Sequence, residues 1–310
     1  MLTPRISVAL VTYNHANYIA QALDSIFAQK IDVPWELVVG DDASTDATPS
    51  ITADYAARHP GIIRLLPREQ NLGMHRNFLQ TLQACRGDYV AILEGDDFWT
   101  SCTKLRQQQA LLDANLGCPA CFHPVTVVGD DGHPVGEIFP GIRQPFLSLK
   151  ELLATNDIPT GSVMFRRALL PALPDSITSL SMTDWPFFIQ LARRGDLACI
   201  DEVMGCYRRH SGGMWTSQSE SARMEKIIAL HEWLLHEKLS GNESAGCAAL
   251  ALWEGRLALH LARTGKTGPA LRHLACHLRA SAHGSVFPQG KLIAKTLLAM
   301  FSRRLQIFLP

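Results

Sequence analysis

In the first hundred residues, short apolar runs alternate with stretches whose apolar positions recur every three to four residues. The runs at 6–12, 35–40, 62–66 and 89–93 are continuous rather than alternating, which predicts strands buried on both faces. Between them, 17–29 puts Ile19, Leu23, Ile26 and Phe27 on one helical face, and helical spacing returns over 44–59 and 74–85. Ser44 or Thr45 is the expected N-cap of the second of these helices. A β-α-β-α-β-α-β order predicts an α/β, Rossmann-like architecture, a mostly parallel sheet with helices on both faces.

Further along, the pattern predicts a helix over 103–116 and a hairpin made of 118–128 and 134–139. A short helix over 147–154, a strand over 161–165, a helix over 184–194 and short strands over 197–200 and 203–207 follow. The character changes after Gly212-Gly213, and residues from about 219 read as four helices with breaks near 241, 265–268 and 283–290. The expected organisation is a domain over 1–218, with halves 1–100 and 101–218, and a C-terminal helical region over 219–310.

Three of the first four strands end in polar clusters: Thr12-Tyr13-Asn14, Asp41-Asp42 and Glu94-Gly95-Asp96-Asp97. Parallel strands end on one side, and ligands of such sheets bind there. Three crowded carboxylates raise one another's pKa unless a cation sits among them. Oxygen ligands of this kind suit Mg2+ or Mn2+, whose shells are completed by phosphates. The plainer alternative is a solvated acidic turn. A nicotinamide-binding oxidoreductase is disfavoured, because no G-x-G-x-x-G follows the first strand.

Charge sharpens the division. The chain of 310 residues has zero formal net charge, yet all 29 acidic residues lie at or before Glu254. Residues 255–310 carry nine Lys and Arg and no acid, which points to an anionic partner. On a helical wheel of 291–308, Lys291, Lys295, Ser302 and Gln306 oppose Ile293, Leu297, Met300, Phe301 and Phe308. Such a helix predicts either contact with an anionic membrane surface through 287–310, or docking on the catalytic domain or in a homo-oligomer. Cys118 and Cys121 form a lone C-x-x-C and read as buried strand thiols. With no secretory signal and no apolar run of membrane-spanning length, the expectation is a cytoplasmic protein, peripheral at the inner membrane face if the basic helix binds there.

Taken in order, Thr12-Tyr13-Asn14, the segment Asp41-Asp42-Ala43-Ser44-Thr45-Asp46-Ala47-Thr48, Asn71-x-Gly73 and Glu94-Gly95-Asp96-Asp97 resemble the family 2 glycosyltransferases of the A-type fold, over roughly residues 4–215. The resemblance implies transfer of a sugar from a nucleotide-diphosphate donor, usually with inversion, onto a glycan or lipid-linked acceptor. No nucleic-acid partner is implied. Asp42 matches the family's base-contacting acid, with Tyr13 placed to stack on the ring and Asp41 holding the turn or joining it. Arg76 matches a basic position facing the nucleotide. Glu94-Gly95-Asp96 matches the aspartate-x-aspartate motif, with Glu94 in place of its first aspartate and Asp96 as the ligand of Mn2+ or Mg2+.

Asp184 matches the general base of the family's Glu-Asp pair, and Thr183 stands where the glutamate is expected. Arg208 or Arg209 is placed for the diphosphate, and His210 for metal or phosphate. Trp215 is placed to cap the acceptor, and Thr160-Gly161 lies where the acceptor pocket begins. The departures at Glu94 and Thr183 keep open a rival of another class, a catalytically silent sugar-nucleotide-binding or scaffold protein that retains the fold.

Overall fold

A computed structural model describes residues 3–141, 144–210, 212, 218–283 and 290–307, without the side chains of 290, 291 and 301–307. The chain divides into two compact units, Met1–Leu152 with Asn156–Ser211, and Leu153–Thr155 with Gly212–Pro310.

The first unit begins β1 (Ile6–Thr12), α1 (Ile19–Phe27), β2 (Trp35–Asp41), α2 (Thr48–Arg58), β3 (Ile63–Leu65), α3 (Met74–Ala84) and β4 (Tyr89–Glu94), the alternation expected from periodicity. It continues with β5 (Phe98–Trp99), α4 (Lys104–Ala114), β6 (Ala120–Phe122), β7 (Val125–Val128), β8 (Pro134–Phe139), β9 (Phe146–Leu147) and α5 (Leu149–Ala154), whose last two residues fall in the second unit. Then come β10 (Met164–Arg166), α6 (Asp184–Ala192), β11 (Leu197–Cys199) and β12 (Gly205–Arg208).

An eight-stranded sheet has the order β3-β2-β1-β4-β10-β6-β11-β9, and a four-stranded sheet the order β5-β12-β7-β8. β3, β2, β1 and β4 are parallel, while β10 runs antiparallel to β4. Val8, Ala9, Leu10, Leu37, Val38, Ile92 and their neighbours are fully buried, as strands covered on both faces require.

Two local expectations are overturned. The single strand over 118–128 is broken at His123-Pro124, and its halves belong to different sheets: β6 pairs with β10 and β11, β7 with β8 and β12. Proline lacks the N–H a continuing ladder needs, so the chain changes sheets there. Cys118 and Cys121 are buried free thiols. Neither Ser44 nor Thr45 caps α2, which starts at Thr48. Asp46 Oδ1 accepts the Thr48 N–H instead (2.9 Å), and Ser44 is engaged with Asp41 and Asn14.

The second unit consists of α7 (Glu220–His236), α8 (Glu243–Arg263), α9 (Thr267–His283) and α10 (Gly290–Ile307). The side chains of Ser219 and Asn242 cap α7 and α8. Gly241 and Gly265 turn the chain at positive φ (89° and 85°) at the expected breaks. α8 is the central helix, packed against α7, α9 and α10. A Cβ at Gly255 would lie 2.4 Å from Leu292 Cδ2, so a glycine there lets α10 close onto α8. No helix among the described residues is long and apolar enough to cross a membrane.

Candidate active site

The parallel register sets Thr12 opposite Asp41 and Val11 opposite Glu94, so the three polar strand ends share one rim. The loops after β1 and β2 are tied together by short polar side chains. Asn14, at φ 55°, donates its N–H to Ser44 Oγ (2.8 Å) and accepts the Thr45 N–H on Oδ1 (2.8 Å). Ala16 N–H donates to Asp46 Oδ2 (2.9 Å), and His15 N–H to Thr48 Oγ1 (2.9 Å). Asn14 therefore shapes the rim rather than offering its amide oxygen outward. Tyr13 stands 44% exposed, leaving its ring available for stacking.

Asp41 accepts from the Ser44 hydroxyl and N–H, and burial raises its carboxyl pKa. Beside it lies a cavity of about 320 Å³ lined by Asp41, Ser44, Pro49, Leu66 and Arg68 among others. Arg68 Nε and Nη2 are buried and make no hydrogen bond. Asp42 is buried, and its two oxygens accept the N–H groups of Leu72 (2.7 Å) and Gly73 (3.0 Å). It thus fixes the Asn71-Leu72-Gly73 turn that launches α3. Arg76, in the first turn of α3, is exposed.

At the end of β4 the chain turns sharply, with Asp97 N–H donating to the Glu94 carbonyl (3.1 Å). A Cβ on Gly95 would lie 2.5 Å from Thr12 Oγ1 and 2.9 Å from His15 Nδ1, so only glycine lets the turn sit against the first loop. Asp96 Oδ2 is 3.1 Å from His210 Nε2 and 3.8 Å from His15 Nε2. Burial works against ionisation of Asp96, but the hydrogen bond from His210 and the nearby His15 outweigh it and lower its pKa. The same hydrogen bond raises the His210 pKa. Burial, Asp96 and Asp184 together push the Glu94 carboxyl well up. Burial and the neighbouring acids do the same to Asp97.

Arg208 is reassigned by its surroundings. Expected at the donor diphosphate, it is buried, and its guanidinium is spent on protein oxygens. Nε donates to the Asp96 carbonyl (2.9 Å), Nη1 to the Gly129 and Asp130 carbonyls (3.3 and 2.9 Å), and Nη2 to Gln21 Oε1 (2.7 Å). Its backbone N–H donates to Asp97 Oδ1 (2.8 Å). Arg208 thus latches the acidic turn to the second sheet. Arg209 forms a two-pronged pair with Glu137 at 2.6 and 2.7 Å.

Asp184 is the first residue of α6, where unpaired helix N–H groups favour a carboxylate. Its Oδ2 accepts from Thr160 Oγ1 (3.2 Å) and Asn156 Nδ2 (3.4 Å). Burial raises its pKa despite those bonds. Thr160-Gly161-Ser162 is a 3-10 turn ahead of β10, not the start of the expected strand. Trp99 Nε1 holds that turn through the Gly161 carbonyl (2.8 Å), and a Cβ on Gly161 would lie 3.5 Å from Asp97 Oδ2. Thr160 and Gly161 therefore adjoin both acids.

Three partners were missed in the sequence. His75 Nε2 faces the Leu180 carbonyl (2.9 Å), an acceptor only, so this nitrogen carries the proton and Nδ1 accepts the Thr183 hydroxyl (2.7 Å). Burial lowers the His75 pKa, in keeping with this neutral form. Thr183 thereby anchors the start of α6 to α3, a role for the residue that replaces the expected glutamate. His15, whose place directly after the Thr12-Tyr13-Asn14 cluster was its only signal, reaches Asp96. Asn156 reaches Asp184 with no signal at all. Trp215 lies outside the described residues.

At Asp96 one carboxylate and the His210 imidazole meet, two of the donors a divalent cation takes, while no group of three or more His, Cys, Asp or Glu able to hold a metal occurs among the described residues.

A parallel sheet extended by antiparallel strands, with a glycine-turned acidic motif on its carboxyl rim, is the architecture of the A-type glycosyltransferases. The solved structure of S. aureus TarS 1–349 in complex with UDP-GlcNAc has this fold, with TM-score 0.65 at 20% identity, covering 97% of this chain and 92% of that one. Mannosyltransferase PcManGT from Pyrobaculum calidifontis, in complex with GDP-Man and Mn2+, gives 0.57 at 21% identity, covering 97% and 88%.

The chain belongs to glycosyl transferase family 2, whose profile matches residues 7–173, more than half of its length. An uncharacterized protein of Mycobacterium tuberculosis is 42% identical over 211 residues, covering 68% of this chain and 60% of that protein. The chain thus spans less than two thirds of that relative's length. A Bacillus subtilis protein assigned as the teichuronic acid biosynthesis glycosyltransferase TuaG is 29% identical over 223 residues, 71% of this chain and 85% of its own.

Proposed function

We propose that this chain is a metal-dependent, inverting glycosyltransferase that moves a sugar from a UDP- or dTDP-linked donor to a hydroxyl of a glycan or lipid-linked acceptor. Surface polysaccharide assembly is its setting, a reading supported by the likeness to TuaG. One observation carries the proposal: Thr160 Oγ1 donates to Asp184 (3.2 Å), and a Cβ on the next residue, Gly161, would lie 3.5 Å from Asp97 Oδ2, so one short turn adjoins both the base and the acidic turn.

Tyr13, whose ring is exposed, stacks on the base. Asp42 acts by holding the turn before Arg76, which is exposed for the phosphates. Asp96 and His210 would hold Mn2+ or Mg2+, which supplies positive charge against the leaving diphosphate. Asp184 takes the proton of the acceptor hydroxyl as that oxygen bonds to the anomeric carbon. The bond from that carbon to the diphosphate oxygen breaks, and the nucleoside diphosphate leaves with the electron pair. Thr160 and Asn156 hold the base in place. A thermal-shift panel of nucleotide sugars with and without Mn2+ tests the reading. A UDP- or dTDP-sugar is expected to raise the melting temperature only with metal, and Asp96→Ala to lose that shift. A metal-independent shift of the same size in both proteins overturns the metal assignment.

A further inference from the structure

The second unit carries a surface that sugar transfer does not use. α9 turns Ala270, Leu274 and His277 inward. Flanking that inward face the helix presents Leu271 and Leu278, 49% and 41% exposed, and farther round Arg279 and Arg272, also exposed. On α10, Thr296 and Met300 are buried while Leu297 and Leu298 stand 37% and 67% exposed. Among the described residues, these four leucines are the exposed large hydrophobic side chains of this unit, and α7 and α8 contribute none.

All four fall within residues 255–310, the stretch without a single acid. α7 shows the contrast, exposing Glu225 and Glu232 on a face with no exposed large hydrophobic. At 100° per residue, Leu278, Leu271 and Ala275 form one half of the outer arc of α9, and Arg279 and Arg272 the other. An apolar stripe edged by cations suits a bilayer boundary, where leucines enter the acyl layer and arginines extend to the phosphates. The same patch repeated on a second copy would face cations with cations, which argues against self-association as its purpose.

We propose that the outer face of α9 is an interfacial binding surface for anionic phospholipid membranes. It is independent of the catalytic assignment. Flotation of the full chain with phosphatidylcholine vesicles, with and without phosphatidylglycerol, tests it. Binding is expected only to the phosphatidylglycerol-containing vesicles, and is expected to weaken as salt rises. Leu271→Glu with Leu278→Glu, and separately Arg272→Glu with Arg279→Glu, should each reduce binding about tenfold. Circular dichroism melting should be unchanged in both variants. No flotation with either vesicle, or full flotation of the leucine variant, overturns the proposal. So does a dimer in light scattering that the leucine substitutions disperse without any lipid binding.

Discussion

In the first unit, Glu94, Asp96, Asp97 and Asp184 act on one another electrostatically at the end of a buried strand. In the second, α9 and α10 hold cations and exposed leucines with no acid at all. The first region concentrates like charge where burial makes it costly, and the pKa values of Glu94 and Asp97 rise as a result. It stays folded because Arg208, His210 and backbone N–H groups engage the oxygens of this turn. The second region places its charge in water, where it costs little. On the two proposals made above, crowded charge in the first unit acts on a small ligand and spread charge in the second on a surface, so the two units would differ in what they recognise as well as in fold.

The largest expected effect is at the proposed base. Asp184→Asn should lower kcat about a thousandfold, in the range a positioned general base supplies, with nucleotide affinity unchanged in calorimetry. Because burial raises the Asp184 pKa, its ionisation opposes folding at neutral pH, so this variant should melt no lower than the native chain. A variant that keeps robust turnover removes Asp184 from the mechanism.

Next comes the latch. Arg208→Met should destabilise the fold by about 3 kcal/mol, because it strands buried carbonyls beside Asp97, which urea melts would register. A change confined to KM, with no loss of stability, would return Arg208 to the ligand.

A smaller effect concerns pH. Asp184 must be ionised to accept a proton, and its pKa lies above the ordinary carboxylate value. Activity should be full above that raised pKa and fall as pH drops through it, so the acid limb of kcat/KM should lie above the usual carboxylate range. Asp184→Glu should shift that limb rather than abolish it. The smallest effect is expected from Leu271→Glu with Leu278→Glu, which should change turnover of a soluble acceptor by less than about twofold. A large loss there would tie the two regions together and end the contrast.

Much of the first unit was legible before folding. Continuous apolar runs identified β1, β2 and β4, and because parallel strands end on one side, Thr12, Asp41 and Glu94 had to share a rim. The four terminal helices and their glycine breaks were equally open to local reading, since turn chemistry and helical period act over a few residues. What lay beyond the sequence were partners set by packing. Arg208 meets the Asp96 carbonyl across 112 residues, and Thr183 meets His75 across 108. Nothing near Arg208 distinguishes a guanidinium bound for a diphosphate from one spent on carbonyls, and nothing near Asn156 announces Asp184. Nor does periodicity tell which face of α9 is left in water, because that depends on where α8 lies. Sequence determined the elements and the side of the sheet on which chemistry gathers. Tertiary structure decided which polar groups are consumed in holding that side together and which remain to act, because hydrogen bonds and charge act between neighbours in space.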